Sequence, residues 1–268
     1  MVNNKNKISG RERILDYFKN GKIPTQQHYA DLINSMIHKE DDGFSKDDPN
    51  GFKIYTHHDF LNLISFYESN DAGKPFFTIS KDKQTPEAIK VQSYKQQADT
   101  TTADETGVFF HDNGNVGIGK KCDDNYRVDI DGFAAMKGRI GTYRAEQNFV
   151  KADGKWHPII TGLKNAQAFE VVARTGKKGT GKLAIMHAIA LSVAGRKGGR
   201  IHRRNAYFGF FWNKINLRWS GDYSGYSLLM KTNSNYGEGV NIYFTITQLW
   251  DDKLFLSEDY YYSDKPDK

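Results

Sequence analysis

From Leu183 to Val193 the side chains alternate without a break. Leu183, Ile185, His187, Ile189, Leu191 and Val193 fall on one side, and Ala184, Met186, Ala188, Ala190 and Ser192 on the other. A helix brings residues three and four apart together, whereas an extended strand sends successive side chains to opposite faces. The period here is two throughout, so this stretch reads as a long central strand. Its bulky face and its small face are both expected to be packed. Ile215, Leu217 and Trp219 repeat the alternation, as do Val240, Ile242, Phe244 and Ile246. With Ala168 to Ala173, Tyr207 to Trp212 and Ser227 to Thr232, about seven strands emerge between Gly/Asn turns. Residues 146–268 therefore read as a β-sandwich domain.

The front of the chain follows other patterns. In residues 1–72, Thr25 reads as a helix N-cap, followed by an apolar stripe of Tyr29, Leu32, Ile33, Met36 and Ile37. A second helix is expected over Phe60, Leu61, Leu63, Ile64, Phe66 and Tyr67, behind a capping box at Thr56 to Asp59. Two short helices bury little on each other, so this segment is expected to dock on something larger. The candidate docking residues are Leu32, Ile33, Met36, Leu61 and Ile64. Residues 73–145 read as short strands around a polar excursion from Lys95 to Glu105. Asn113-Gly114 forms a hairpin signal between Val108-Phe109-Phe110 and Val116-Gly117-Ile118. Strands this short and glycine-rich close no core alone, so exchange or intertwining with identical neighbours is expected. The fold class is thus mainly β: a short N-terminal helical segment, an intertwined short-strand middle region and a C-terminal β-sandwich.

Composition narrows the function classes. The 268 residues carry a net charge of +6, and 13% of them are aromatic. Cys122 is the one cysteine, which rules out an intrachain disulfide. No apolar run approaches the roughly 20 residues of a bilayer span, and the opening residues form no secretory h-region. Cytoplasmic folding, or release by a non-secretory route, is expected.

Catalytic and ligand motifs are incomplete. Gly176 to Lys182 matches the start of a phosphate-binding loop, but Leu183 stands where Ser or Thr should hold magnesium, and a strand pattern follows. It reads as a Gly/Lys hairpin. Gly117-x-Gly119 lacks its third glycine and its helix. Cys122 has no histidine near it in sequence and reads as a structural thiol. His187 reads as a hydrogen-bonded core residue rather than a ligand. Asp129-x-Asp131-Gly132 lacks the later ligands of a calcium loop. No catalytic residue, cofactor or metal site is expected.

The charge is unevenly spread. Arg174, Lys177, Lys178, Lys182, Arg196, Lys197, Arg200, Arg203 and Arg204 follow one another without an Asp or Glu between them, beside aromatics at Tyr207 to Trp212. Lys177, Lys178, Lys182, Arg196, Lys197, Arg200, Arg203 and Arg204 are the candidate surface-binding residues. If their loops share one end of the sandwich, they form a patch suited to an anionic surface glycan or lipid headgroup. Nucleic acid is a weaker candidate, because alternation sends about half of the aromatics into the core. The competing reading is that the acidic tail, with Asp251, Asp252, Glu258 and Asp259, neutralises the block within or between subunits.

The stretch from Val108 to Gly119, followed by Tyr126 to Gly132, resembles a unit of phage tail fibres and tail-like adhesins. Lys120-Lys121-Cys122 replaces the usual Thr/Ser-Pro. Asp153 to Ile160, Ala168 to Val172, His187 to Leu191 and Gln248 to Trp250 look like the C-terminal domain of such proteins from Bacteroidota. Ile23 to Phe44 is similar to the front of proteins of contractile injection systems. The resemblance implies a non-enzymatic fibre or baseplate-associated component of a phage-tail-like particle. Such a component is assembled in the cytoplasm and acts outside the cell. The resemblance also implies a homotrimer that joins other particle subunits through its N-terminal segment. The alternative function is a tailspike-type hydrolase of cell-surface polysaccharide, for which Glu170, Asp222 and Glu238 are the carboxylates to consider.

Overall fold

Backbone hydrogen bonding in the computed structural model sorts the described residues into four sheets and few helices. The structure describes residues 9–39, 41–56, 60–69, 71–83, 87–94, 106–144 and 147–261. It is mainly β, and it divides into two compact units, Met1–Ala134 and Ala135–Lys268. The boundary thus falls at Ala135, and residues 1–72 and 73–134 belong to one unit.

The first unit opens with helices α1 (Arg11–Tyr17) and α2 (Gln26–Asn34). Thr25 caps α2 as its sequence predicts: its hydroxyl accepts from the His28 amide, and the His28 ring accepts from the Thr25 amide. The two helices meet through polar rings. Tyr17 stacks on His28 at 3.9 Å, and its hydroxyl donates to Asp31. The Ser35 hydroxyl donates to the Asp31 carbonyl and accepts from the Ser9 amide, so the helix stops before Met36. Strands β1 (Phe44–Asp47) and β2 (Gly51–Ile54) make a hairpin.

The expected second helix is instead β3 (Asn62–Phe66), the edge of a six-stranded sheet. Short apolar runs fit either period. Here pairing with the adjacent β4 (Phe77–Lys81) decides the matter, placing Ile64 opposite Ile79 and Phe66 opposite Phe77. The expected capping box at Thr56 to Asp59 lies largely outside the described residues, and so does the excursion from Lys95 to Glu105. The sheet continues through β5 (Ile89–Ser93), β6 (Val108–Phe110), β7 (Val116–Ile118) and β8 (Val128–Ile130). The hairpin expected at Asn113-Gly114 joins β6 to β7: Gly114 takes a positive φ of 81°, and the Asn115 amide donates to Asn113 Oδ1.

In the second unit, the order β13-β12-β11-β16-β9 forms a five-stranded sheet. Its members are β9 (Phe149–Lys151), β11 (Gln167–Gly176), β12 (Leu183–Ser192), β13 (Gly199–Phe208) and β16 (Asn241–Asp251). Strands β10 (His157–Leu163), β14 (Ile215–Asp222) and β15 (Gly225–Thr232) form a three-stranded sheet. One hydrophobic core joins the two. Phe169, Val171, Met186, Ile242 and Ile246 come from the larger sheet, and Leu217, Trp219, Tyr226, Leu228 and Met230 from the smaller. Helix α3 (Asp252–Phe255) follows β16.

Strand β12 has the expected period, but only its small face is inside. Ala184, Met186, Ala188 and Ala190 are buried, while Leu183, Ile185 and Leu191 are exposed. Large rings from the smaller sheet fill the interlayer space, and alanines opposite them keep it from overpacking. His187 is accordingly an outer-face residue rather than a core one. Its Nε2 lies 2.9 Å from the Glu170 carboxylate, which also pairs with Arg139.

Candidate functional site

The basic block is divided between two ends of β12. Lys177, Lys178 and Lys182 lie on the turn between β11 and β12, and Arg196 and Lys197 on the turn between β12 and β13. Ten residues of strand separate these turns, about 30 Å at 3.4 Å per residue. The single positive patch expected from the sequence is therefore not formed. The Gly176 to Lys182 stretch is the hairpin its pattern predicts, closed by a Thr180 hydroxyl bond to the Lys177 carbonyl.

The strand expected over Tyr207 to Trp212 runs instead from Gly199 to Phe208. Arg200, Arg203 and Arg204 are thus strand residues. Phe210, Phe211 and Trp212 form an exposed aromatic cluster beyond the strand, with Phe210 stacked on Trp212 at 5.0 Å. Register places Arg200, His202 and Arg204 beside Leu191, Ile189 and His187 on the outer face. Arg203 lies opposite buried Ala188, on the side that faces the smaller sheet.

Because β13 ends the larger sheet and β14 ends the smaller, the sandwich is open between them. Arg196, Arg200, Arg203 and Arg218 line the cleft there, with Gly199 and Trp219 in its wall. Two glycines permit this geometry. Gly195 has φ +65° and passes so close to Gly221 that a Cβ would lie 2.6 Å from its carbonyl oxygen. This seats the turn on β14, with the Arg196 amide donating to Gly221. Gly199 has no room for a Cβ beside Trp219 Cδ1. Arg218, which sequence reasoning missed because it stands apart from the block, lies 4.4 Å from the Trp156 ring centroid.

The acidic tail does not reach this cleft through Asp251 or Asp252. Buried Asp252 accepts from Trp250 Nε1 at 2.6 Å and from the Ala166 amide at 2.8 Å, and Asp251 caps α3. Register sets Asp251 three strands away from Gly199, by way of Gln167 and Ser192.

The docking candidates divide in the same way. Leu32 and Ile33 lie on α2, Met36 beyond its end, and Leu61 just before β3. Ile33, Met36 and Leu61 are exposed. Ile64 belongs to something larger. Pairing runs Ile64–Ile79–Val91–Val108–Ile118–Ile130, one aliphatic side chain from each of the six strands. Ile89, Phe110, Val116 and Val128 make a second row beside it. None of these ten residues is buried, although Thr78, Ser80, Lys90 and Gln92 on the other face are. Ala88 and Phe109 are the only buried apolar residues among those described in this unit.

Candidate chemical groups are occupied locally. The Cys122 thiol donates to the Tyr126 carbonyl at 3.1 Å, and burial, then Asp129 and Asp123, push its pKa above the usual 9.0. Asp129 is held below the usual carboxylate value, first by Lys120 at 2.9 Å. No group of three metal-ligating side chains occurs among the described residues. Glu170, Asp222 and Glu238 stand on β11, on the end of β14 and on the loop before β16. No described helix is long and apolar enough to cross a membrane. No family model, curated protein or solved structure matches the chain.

Proposed function

We propose that this chain is a structural, self-associating subunit of an extracellular phage-tail-like contractile particle, fibre or baseplate-associated, and that it is not an enzyme. The observation that carries the reading is the aliphatic face of the six-stranded sheet, of whose ten residues five are exposed and none is buried. An apolar face of this kind is unfavourable in water, and burial returns roughly 25 cal/mol per Å². Three copies packing these faces together would supply the core that one copy lacks, and would cover sheet edges otherwise free to pair. Exposed Ile33 and Met36 are then available to other particle subunits. The resemblance of Val108 to Gly132 to tail-fibre units points to the same kind of assembly, and contact with the target cell surface falls to the C-terminal sandwich.

Light scattering on the full chain eluting from a sizing column tests this reading. A mass of three chains at micromolar concentration is expected. A monomer at that concentration overturns it.

A further inference from the structure

The turn between β13 and β14 carries three large rings in succession, Phe210, Phe211 and Trp212, and all three are exposed. Phe210 stacks on Trp212 with 14° between the planes, and Phe211 meets Trp212 edge-on at 4.7 Å. Phe208, the last residue of β13, is exposed as well. Apolar surface gathered in one place marks a contact surface for a protein or a membrane. The turn is fixed from below by Asn213, which follows the rings and is fully buried. Its side-chain amide donates to the Phe208 carbonyl at 3.1 Å, and its Oδ1 accepts from the Ser234 hydroxyl at 3.0 Å. Its backbone amide donates to the Phe210 carbonyl at 2.9 Å.

A second, independent observation concerns charge. Gly209 takes φ +88°, and a Cβ on it would lie 2.6 Å from the Gly181 carbonyl oxygen. The aromatic turn therefore rests on the hairpin turn between β11 and β12, where Lys177 and Lys178 are exposed. From Arg174 to Gly221 the sequence has no Asp or Glu, so neither turn holds an acid. Lys182 Nζ donates to the Asn235 carbonyl, which brings the loop before β16 alongside. That loop carries Glu238, and the neighbouring Asp153 is paired with His157 at 2.8 Å. Rings and cations thus share one end of the sandwich.

We infer that this end of the sandwich docks on an anionic lipid bilayer, with Phe210, Phe211 and Trp212 entering the interfacial layer and Lys177 and Lys178 at the level of the headgroups. Aromatic rings favour the boundary between hydrocarbon and water, and lysines beside them are drawn to anionic headgroups. A glycan would need polar side chains among the rings to meet its hydroxyls, and the Asn213 amide is buried and engaged. Single-stranded nucleic acid stacks its bases on free ring faces along a groove. Here Phe210 and Trp212 cover faces of each other. A second copy of the chain would bring the same lysines against themselves. The inference rests on the cell-surface contact proposed above for the sandwich and is independent of self-association.

The test sediments the full chain at physiological salt with vesicles of phosphatidylcholine and phosphatidylglycerol in equal parts, with vesicles of phosphatidylcholine alone, and titrates it with a single-stranded DNA oligonucleotide. Light scattering reads the mass of every variant. The anionic vesicles are expected to bind, and Lys177→Gln with Lys178→Gln to weaken them by about 30-fold, near fivefold for each lysine. Phe210→Ser with Phe211→Ser should weaken them by about tenfold or more. Tryptophan emission should shift to the blue on binding, and Trp212→Phe should abolish the shift. The pair Arg196→Gln and Lys197→Gln, at the far end of β12, should leave binding unchanged. Failure to bind anionic vesicles overturns the inference, as does binding that ignores the ring pair or falls equally with the far pair. So does tighter, ring-dependent binding of DNA, or a blue shift that survives Trp212→Phe. If vesicles bind while the mass of three chains is absent, self-association fails and this inference stands. A trimer that binds no vesicle overturns this inference alone.

Discussion

Lys121 Nζ lies 2.7 Å from Asp82 Oδ2, and the Asp82 side chain is only 3% exposed. The contact fastens the chain that follows β7 to the end of β4, over the polar face of the six-stranded sheet. Removing one partner of a buried pair takes a cation away from a carboxylate held out of water, which destabilises the fold. Lys121→Met is therefore expected to lower the urea midpoint of the N-terminal unit strongly. Adding Asp82→Leu should recover most of the loss. Equal losses in the single and double variants would show that the pair contributes little.

Self-association has its own substitution test. Val91 sits in the middle of the aliphatic row, between Ile79 and Val108. Val91→Asp is expected to yield monomers. All four tryptophans, Trp156, Trp212, Trp219 and Trp250, lie in the C-terminal unit, so their fluorescence should not change. A trimer that survives this variant would place the interface elsewhere.

Cys122 supplies a pH-dependent prediction. Only the thiolate reacts with iodoacetamide. The folded thiol has its pKa raised by burial and then by Asp129 and Asp123. Its alkylation should therefore lag behind that of the urea-unfolded chain at neutral pH. The half-maximal rate should come only above the usual thiol value of 9.0. Faster alkylation of the folded chain would contradict the assignment.

Asp252 joins the end of β16 to the loop before β11. Asp252→Ala leaves the Trp250 indole N–H and the Ala166 amide without their acceptor. Each lost bond to a charged group is worth about 1.5–3 kcal/mol. Thermal unfolding followed by tryptophan fluorescence should show a clear fall in the midpoint. An unchanged midpoint would mean that water replaces the carboxylate at no cost.

The β12 alternation is legible because a period of two over ten residues fits nothing else. Which of its faces is buried is not legible. That is settled by the rings of Trp219 and Tyr226, which reach the interlayer space from strands far away in sequence. Phe60 to Tyr67 read as a helix because so short an apolar run does not separate the two periods. The long-range partner, Phe77 to Ile79, decides for a strand. Arg200, Arg203 and Arg204 read as loop because clustered charge is common there, yet an edge strand tolerates and even favours charge. The cleft was partly visible in those arginines. Arg218 and Trp219 joined them only through the meeting of two sheet edges.

The outward-facing bulk of β12 also bears on how the chain finds its register. In most half-buried strands, a slip of one residue exposes apolar side chains and is rejected by water. In β12 the same slip would turn Leu183, Ile185 and Leu191 inward and alanines outward, which solvation alone would favour. Steric volume resists it, since leucine and isoleucine would have to enter space already filled by Trp219, Leu228 and Met230. Correct pairing of β12 therefore depends on the smaller sheet being in place. A refolding chain that lacks β14 and β15 should pass through slipped, slowly corrected pairings.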